Sequence, residues 1–191
     1  MHTTLFSIAD AHIHGDLFPR LLRARKEVFI DKHGWALDTV DGMEYDAYDT
    51  PAARHLAIQD DEGRILAGMR LLPTTARNGV YSYMIRDAQK GMLATIPADL
   101  LHGPAPVDPL VWEGTRGFIH PDVPHKQRLE LECVMYGALR DAAAAYGYSS
   151  LLILVTARWR IWAKKVKMEM EEMGPVVSID GGPHVALSMI F

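Results

Sequence analysis

The sequence predicts a mixed α/β sandwich built on one sheet, and three observations predict it. Helix-like and strand-like segments alternate in the order helix, hairpin, strand, helix, strand, helix, hairpin, which stacks helices on a sheet. Residues 149–156 are a nearly continuous apolar run, as a strand buried on both faces requires. Residues 111–118, Val-Trp-Glu-Gly-Thr-Arg-Gly-Phe, read as an interior strand that carries Glu113, Thr115 and Arg116. A carboxylate and a guanidinium taken out of water cost several kcal/mol each, about the scale of a whole domain's stability, unless they are paired or used. That strand is therefore the first candidate for a site, the alternative being an edge strand with a solvated ion pair.

The 191 residues suit a single domain able to bury its own core, expected over residues 1–191. Hydrophobic residues make up 49% and charged residues 23%, with a net charge of −4, so no global basic field for nucleic acid exists. The one cysteine, Cys133, has no partner for a disulfide, which suits a reducing cytoplasm. No apolar run approaches the roughly 20 residues of a membrane span, and no leader is apparent. A cytoplasmic protein is expected.

Along the chain, residues 10–16 contain Asp-x-His-x-His, a pattern that supplies zinc ligands at barrel strand ends. That fold needs about 250 residues, so the histidines are expected in a turn and no metal is expected. A helix is predicted over residues 16–32, with Asp16 as N-cap, Pro19 tolerated in the first turn and Gly34 near the stop. Leu17, Leu21, Leu22, Val28 and Phe29 give it an apolar stripe. Arg25 and Phe29 share one face at i and i+4, with Trp35 just beyond the end; a snorkelling arginine over an aromatic core edge would look the same.

Residues 42–51 are turn-rich, with three acids and two tyrosines, and a solvated loop is the plain expectation. Residues 55–59 and 64–73 form a hairpin around Asp60-Asp61-Glu62-Gly63. Arg70, among Leu66, Met69, Leu71 and Leu72, needs an acid, and Asp46 or Asp49 is the natural partner. Residues 76–110 are irregular and proline-rich, with a short helix at 82–93; a stretch this long suggests a lid, a channel wall or a docking surface. A helix is predicted over residues 126–146, apolar at Leu129, Val134, Leu139 and Ala143. Another is predicted over residues 157–173, and residues 175–180 and 184–190 close the sheet around Gly181-Gly182. This last helix has Arg158, Arg160, Lys164, Lys165 and Lys167 early and Glu169, Glu171 and Glu172 late, the reverse of what its dipole favours. Docking of an acidic partner would account for it.

Taken together, these residues resemble the acyl-homoserine-lactone synthases, the quorum-sensing autoinducer synthases that share the GNAT acyltransferase fold. Arg25, Phe29 and Trp35 match the family's amino-terminal positions. Glu44-Tyr-Asp46-Ala-Tyr-Asp49 matches its acidic segment E-x-D-x-Y-D, Arg70-Leu-Leu-Pro-Thr-Thr75 its R-L-L-P-T-T, and residues 112–118 its W-E-x-S-R-F. Thr115 stands for the usual serine, Gly117 is interposed before the aromatic, and residues 76–109 are longer than in better-known members. The resemblance implies a GNAT-like three-layer sandwich whose twisted mixed sheet has a V-shaped splay between two central strands.

It also implies a reaction. The amine of S-adenosylmethionine attacks an acyl thioester on acyl carrier protein or coenzyme A, and the carboxylate then closes on the γ-carbon, expelling methylthioadenosine. S-adenosylmethionine is a substrate, so no separate cofactor is implied, nor nucleic acid or membrane. Glu113 is expected as general base, with Thr115 and Arg116 beside it. Arg25, Phe29, Trp35, Asp46, Asp49 and Arg70 are expected around S-adenosylmethionine, and Thr156 in the acyl pocket. Arg158, Arg160, Lys164, Lys165 and Lys167 are expected to dock the carrier protein. The rival readings are a GNAT-type N-acyltransferase acting on another amine, disfavoured because Pro124-His-Lys-Gln-Arg-Leu129 lacks the glycines of a pyrophosphate loop, and a non-catalytic sensor.

Overall fold

In a computed structural model of the chain, residues 1–165 and 168–191 are described, with Trp162 and Lys165 described in their backbone alone. They form two compact units, Met1–Leu71 with Arg116–Ala142, and Leu72–Thr115 with Ala143–Phe191.

The first unit carries strands β1 (His2–Phe6), β4 (Arg54–Gln59) and β5 (Ile65–Pro73, which runs on into the second unit), with the short pair β2 (Thr39–Val40) and β3 (Met43–Glu44). β1, β4 and β5 are successive antiparallel neighbours, with an irregularity at Ile58 and Gln59. Residues 116–119 of β6 (Val111–Ile119) follow β5. Side chains alternate along a strand, so adjacent Ala57 and Ile58 face opposite layers. Ala57 joins Leu17, Leu21, Ala24, Val28, Phe29 and Phe118 under helix α1 (Leu17–Lys26) and its continuation. Ile58 joins Ala67, Val123 and Leu131 under helix α3 (His125–Tyr146). Gly68 permits the close approach of α1, since a Cβ there would sit 2.7 Å from Leu21 and 2.9 Å from Phe118.

In the second unit, β6 runs parallel to β7 (Ser150–Thr156) from the pair Val111 and Ser150 to the pair Gly114 and Ile153. Pairing stops there, while β7 continues to Thr156 against β10 (Gly182–Ile190). β8 (Met170–Glu172) and β9 (Val177–Ile179) flank β10. Leu151, Leu152 and Ile153 are all buried, as the apolar run demanded of a central strand. Helices α2 (Met84–Gln89) and α4 (Trp159–Lys165) complete the unit.

Several expectations are corrected. The helix expected over 16–32 is α-helical only to Lys26 and then widens into a π-helical segment, Glu27–Lys32. Asp16 stands at its N-cap position but makes no cap bond; its carboxylate takes Arg20 Nε at 2.8 Å instead. Helix 82–93 shrinks to α2, ended near Gly91 at φ 73°. On α3 the inward residues are Leu131, Leu139, Ala142 and Ala143, while Leu129 is 52% exposed.

The largest correction concerns residues 157–173. Helix α4 ends at Lys165 and the chain returns as β8 along β10, so Glu171 and Glu172 lie on a strand and the reversed helix dipole disappears. Met168-Glu169-Met170-Glu171 alternates with the period of two that a strand needs, and an edge position on β10 outweighs the helix propensity of these residues. Lys167 and the side chain of Lys165 lie outside the described residues. β1 was not foreseen.

Candidate functional site

The first unit contains a buried network of three arginines and three carboxylates. Leu21, Leu22 and Arg25 fall on the inward face of α1, so Arg25 is buried with the core and must find acids. Its Nε donates to Glu44 Oε2 at 2.6 Å, and Nη1 and Nη2 grip Asp49 at 2.7 and 3.0 Å. Arg70, opposite His55 in the β4–β5 ladder, grips Asp46 at 2.5 and 3.1 Å and reaches Asp49 at 3.0 Å. Arg116 closes the ring, donating to Glu44 Oε1 and Asp46 Oδ2, both at 2.9 Å. Two-pronged geometry of this kind is what a guanidinium offers and an ammonium does not.

The acids are presented by a folded turn. Asp46 N–H donates to Asp49 Oδ2, Tyr48 N–H to Asp46 Oδ1, and Tyr45 hydroxyl to the Asp49 carbonyl. The segment expected to be a solvated loop is therefore an ordered acid shelf. Burial alone would raise the carboxyl pKa of Asp49, yet Arg70 and Arg25 hold it well below the usual range. Asp46 is likewise lowered, burial being outweighed by Arg70 and Arg116. Arg70 is raised despite its burial, because Asp46 and Asp49 favour its charged form. Three positive and three negative groups leave the network neutral, and its side chains touch solvent mainly at Asp46, 20% exposed, and Arg116, 11% exposed.

An aromatic wall adjoins the exposed edge. The π-helical segment carries Phe29, which stacks on Trp35 with centroids 5.0 Å apart and planes 13° apart. Trp35 N–H donates to the Phe29 carbonyl, fixing the pair. Arg116 lies over the Phe29 ring at 5.8 Å. π-Helical turns are inserted where a regular helix would misplace a side chain, frequently at functional sites.

Arg116 has φ 52°, a left-handed conformation unusual for a residue with a side chain. The irregular residue of this strand is thus Arg116 itself. Gly117 is exposed, and a Cβ there would meet the flexible end of Met69.

Glu113 and Thr115 belong to the second unit, and both are buried. Glu113 Oε1 accepts the Ile85 N–H at 2.7 Å and Oε2 the Met84 N–H at 3.0 Å. Tyr83, whose hydroxyl donates to the Pro106 carbonyl, is pushed upward in pKa by burial and by Glu113 nearby. Thr156 is exposed at the end of β7. Arg158, in the turn before α4, and Lys164 on α4 are exposed and Ile161 is 72% exposed, while Arg160 pairs with Glu172 at 3.0 Å. These residues line a surface cavity of about 470 Å³.

Among the described residues no grouping of three or more His, Cys, Asp or Glu is placed to hold a metal, and no helix is long and apolar enough to cross a membrane. His12 and His14 sit on a single 3-10 turn. One member of the network, Glu44, belongs to the acidic motif yet is not among the site residues the sequence points to. The signal was available: Glu44 and Asp46 are two apart on an extended segment, and Arg25 could use more than one acid.

The family model described as Autoinducer synthase matches residues 11–160. An acyl-homoserine-lactone synthase of Aeromonas salmonicida is 29% identical over 177 residues, covering 90% of this chain and 78% of the relative. TofI, solved in a ternary complex with an inhibitor and MTA, superposes with a TM-score of 0.77 at 25% identity, over all of this chain and 91% of that one. The CoA-dependent acyl-homoserine lactone synthase BjaI, solved with SAM and isopentyl-CoA, gives a TM-score of 0.78 at 21% identity over 97% of this chain and 81% of its own, a likeness of fold alone.

Proposed function

Because the chain belongs to the autoinducer synthase family, it is an acyltransferase that makes an N-acyl-homoserine lactone, and we propose how its residues divide the work. The α-ammonium of S-adenosylmethionine gives up a proton to water, the freed amine attacks the thioester carbonyl, and an amide forms as the nitrogen loses a second proton and the departing thiolate takes one up. The carboxylate oxygen then attacks the γ-carbon, breaking its bond to sulfur and releasing methylthioadenosine and the lactone.

The observation that carries the division is the Arg116–Asp46 ion pair at the exposed edge of an otherwise closed network. The α-carbon end of S-adenosylmethionine is a zwitterion. It fits into that bridge, with its carboxylate on Arg116 and its amino group on Asp46. Neither residue is stranded by the insertion, because Arg116 keeps Glu44 and Asp46 keeps Arg70. Arg25, Asp49 and Arg70 hold the shelf in place behind them. The sulfonium and adenosine lie toward Phe29 and Trp35, where an aromatic face favours a cation.

The thioester is proposed to enter the second unit where β6 parts from β7, with Thr115 as the hydroxyl beside the reacting carbonyl and Thr156 along the acyl chain. Arg158 and Lys164 steer an acidic carrier protein, with Ile161 as the apolar contact between them. Arg160 braces this face through Glu172. The proposed location is the cytoplasm, where both substrates would be met.

Calorimetry with S-adenosylmethionine and its decarboxylated analogue tests the bridge. The wild type should bind the analogue at least ~10-fold more weakly, and Arg116→Gln should bind the two nearly equally. An undiminished preference for the carboxylate in Arg116→Gln would overturn the placement.

A further inference from the structure

We infer that Glu113 serves the reaction as a positioning residue, tying α2 to β6 at the point where β6 leaves β7 and so setting the wall along which the acyl thioester lies. This rests on the proposed entry of the thioester at that fork. The expectation for Glu113 was a general base, and its surroundings give it another task. The residue is 0% exposed, and each carboxylate oxygen is engaged by a peptide N–H, Oε1 by Ile85 and Oε2 by Met84. Those N–H groups open α2, and groups at that position have no acceptor within their own helix.

Nothing else in the local sequence caps them. The N-cap residue, Tyr83, makes no side-chain cap bond, and the Asp87 carboxylate turns back to the N–H and hydroxyl of Ser82 at 2.7 and 2.5 Å. The cap is supplied from the strand instead, and its location is telling. Glu113 pairs with Leu152 in the β6–β7 ladder, one step before the last pair of Gly114 with Ile153.

Further ties make the following segment a wall. Gln89 donates to the Gly103 carbonyl and accepts the Ala105 N–H, both at 2.8 Å, and Tyr83 donates to the Pro106 carbonyl at 2.6 Å. Both oxygens of the Glu113 carboxylate are thereby engaged in holding the first turn of α2.

The test compares wild type, Glu113→Gln and Gln89→Ala on thioesters of four to twelve carbons across pH, with amide hydrogen exchange at Met84 and Ile85. Glu113→Gln should raise KM for the thioester about 10-fold, blur the preference for acyl length and keep the acidic limb of the kcat profile. Its Met84 and Ile85 amides should exchange at least ~10-fold faster. Gln89→Ala, which loosens the same wall without touching Glu113, should blur acyl preference in the same direction. A kcat loss of ~100-fold or more with the acidic limb abolished and acyl preference intact would overturn the inference in favour of a base. Unaltered kinetics in the folded fraction, or unchanged exchange at Met84 and Ile85, would overturn it as well. Absence of lactone from the wild type would sink the assigned reaction, and the exchange measurement would still decide whether Glu113 ties the helix.

Discussion

Arg25 and Arg116, far apart in the chain, are joined through one carboxylate: Glu44 offers Oε2 to Arg25 at 2.6 Å and Oε1 to Arg116 at 2.9 Å. With one acid serving two guanidinium groups, its loss leaves two buried charges short of a partner. Glu44→Gln should therefore destabilise the protein by about 3–5 kcal/mol, the range for breaking a buried ion pair from one side. Urea denaturation would read this, and a loss under about 1 kcal/mol would show the network to be better hydrated than its burial implies.

Arg116 holds its partners from a left-handed backbone conformation. Both Arg116→Ala and Arg116→Gly lose the ion pairs, but only glycine relieves the backbone cost of about 1–2 kcal/mol. The glycine variant should thus be the more stable of the two by about 1 kcal/mol or less, since glycine also gains entropy when unfolded. An alanine variant more stable than the glycine one would place the strain elsewhere.

His55 gives the protein a built-in acid sensitivity. It is buried, both ring nitrogens have no hydrogen-bond partner among the described residues, and it lies between Phe6 and Phe18 with centroids at 5.7 and 4.7 Å. Burial pushes its pKa down to about 3, with Asp49 and Asp46 opposing and Arg25 and Arg70 assisting. The unfolded chain therefore binds a proton below the ordinary value of 6.5 that the folded chain refuses. Stability should be full above pH 6.5 and fall as pH drops toward 3, by up to about 1.4 kcal/mol per pH unit. His55→Leu should flatten the profile between about pH 6 and 4, leaving the later loss from Asp46 and Asp49, whose depressed values act below the ordinary carboxylate range. An unchanged profile would mean that His55 is not the group that titrates.

Much of this was legible in the sequence, and the reasons are physical. The apolar run at residues 149–156 identified the central strand, and Arg70 among leucines announced the need for Asp46 or Asp49, of which it takes both. The π-helical turn was not legible, because Glu27–Lys32 has ordinary helix composition and the widening serves Phe29 and Trp35 through tertiary contacts. Residues 168–173 were misread because glutamate and methionine favour helices, while their alternation meets an open edge of β10. The attachment of Glu113 to α2 depends on a segment 28 residues earlier, which no local pattern encodes.

Arg158 and Lys164 supply a contrast between donors. Reversing both to glutamate should weaken use of an acidic carrier protein about 10-fold or more at low salt, with little change toward acyl-coenzyme A. Steady-state kinetics with paired donors of equal acyl length would check it, and equal losses with both would place the docking face elsewhere.

The most direct test of the whole account is product formation. Purified protein would be incubated with S-adenosylmethionine and a panel of acyl carrier protein and coenzyme A thioesters, following lactone and methylthioadenosine by mass spectrometry. The account predicts both products in equal amounts with at least one thioester, and their loss in Arg116→Gln. Methylthioadenosine without lactone, or no lactone with any thioester, would contradict it.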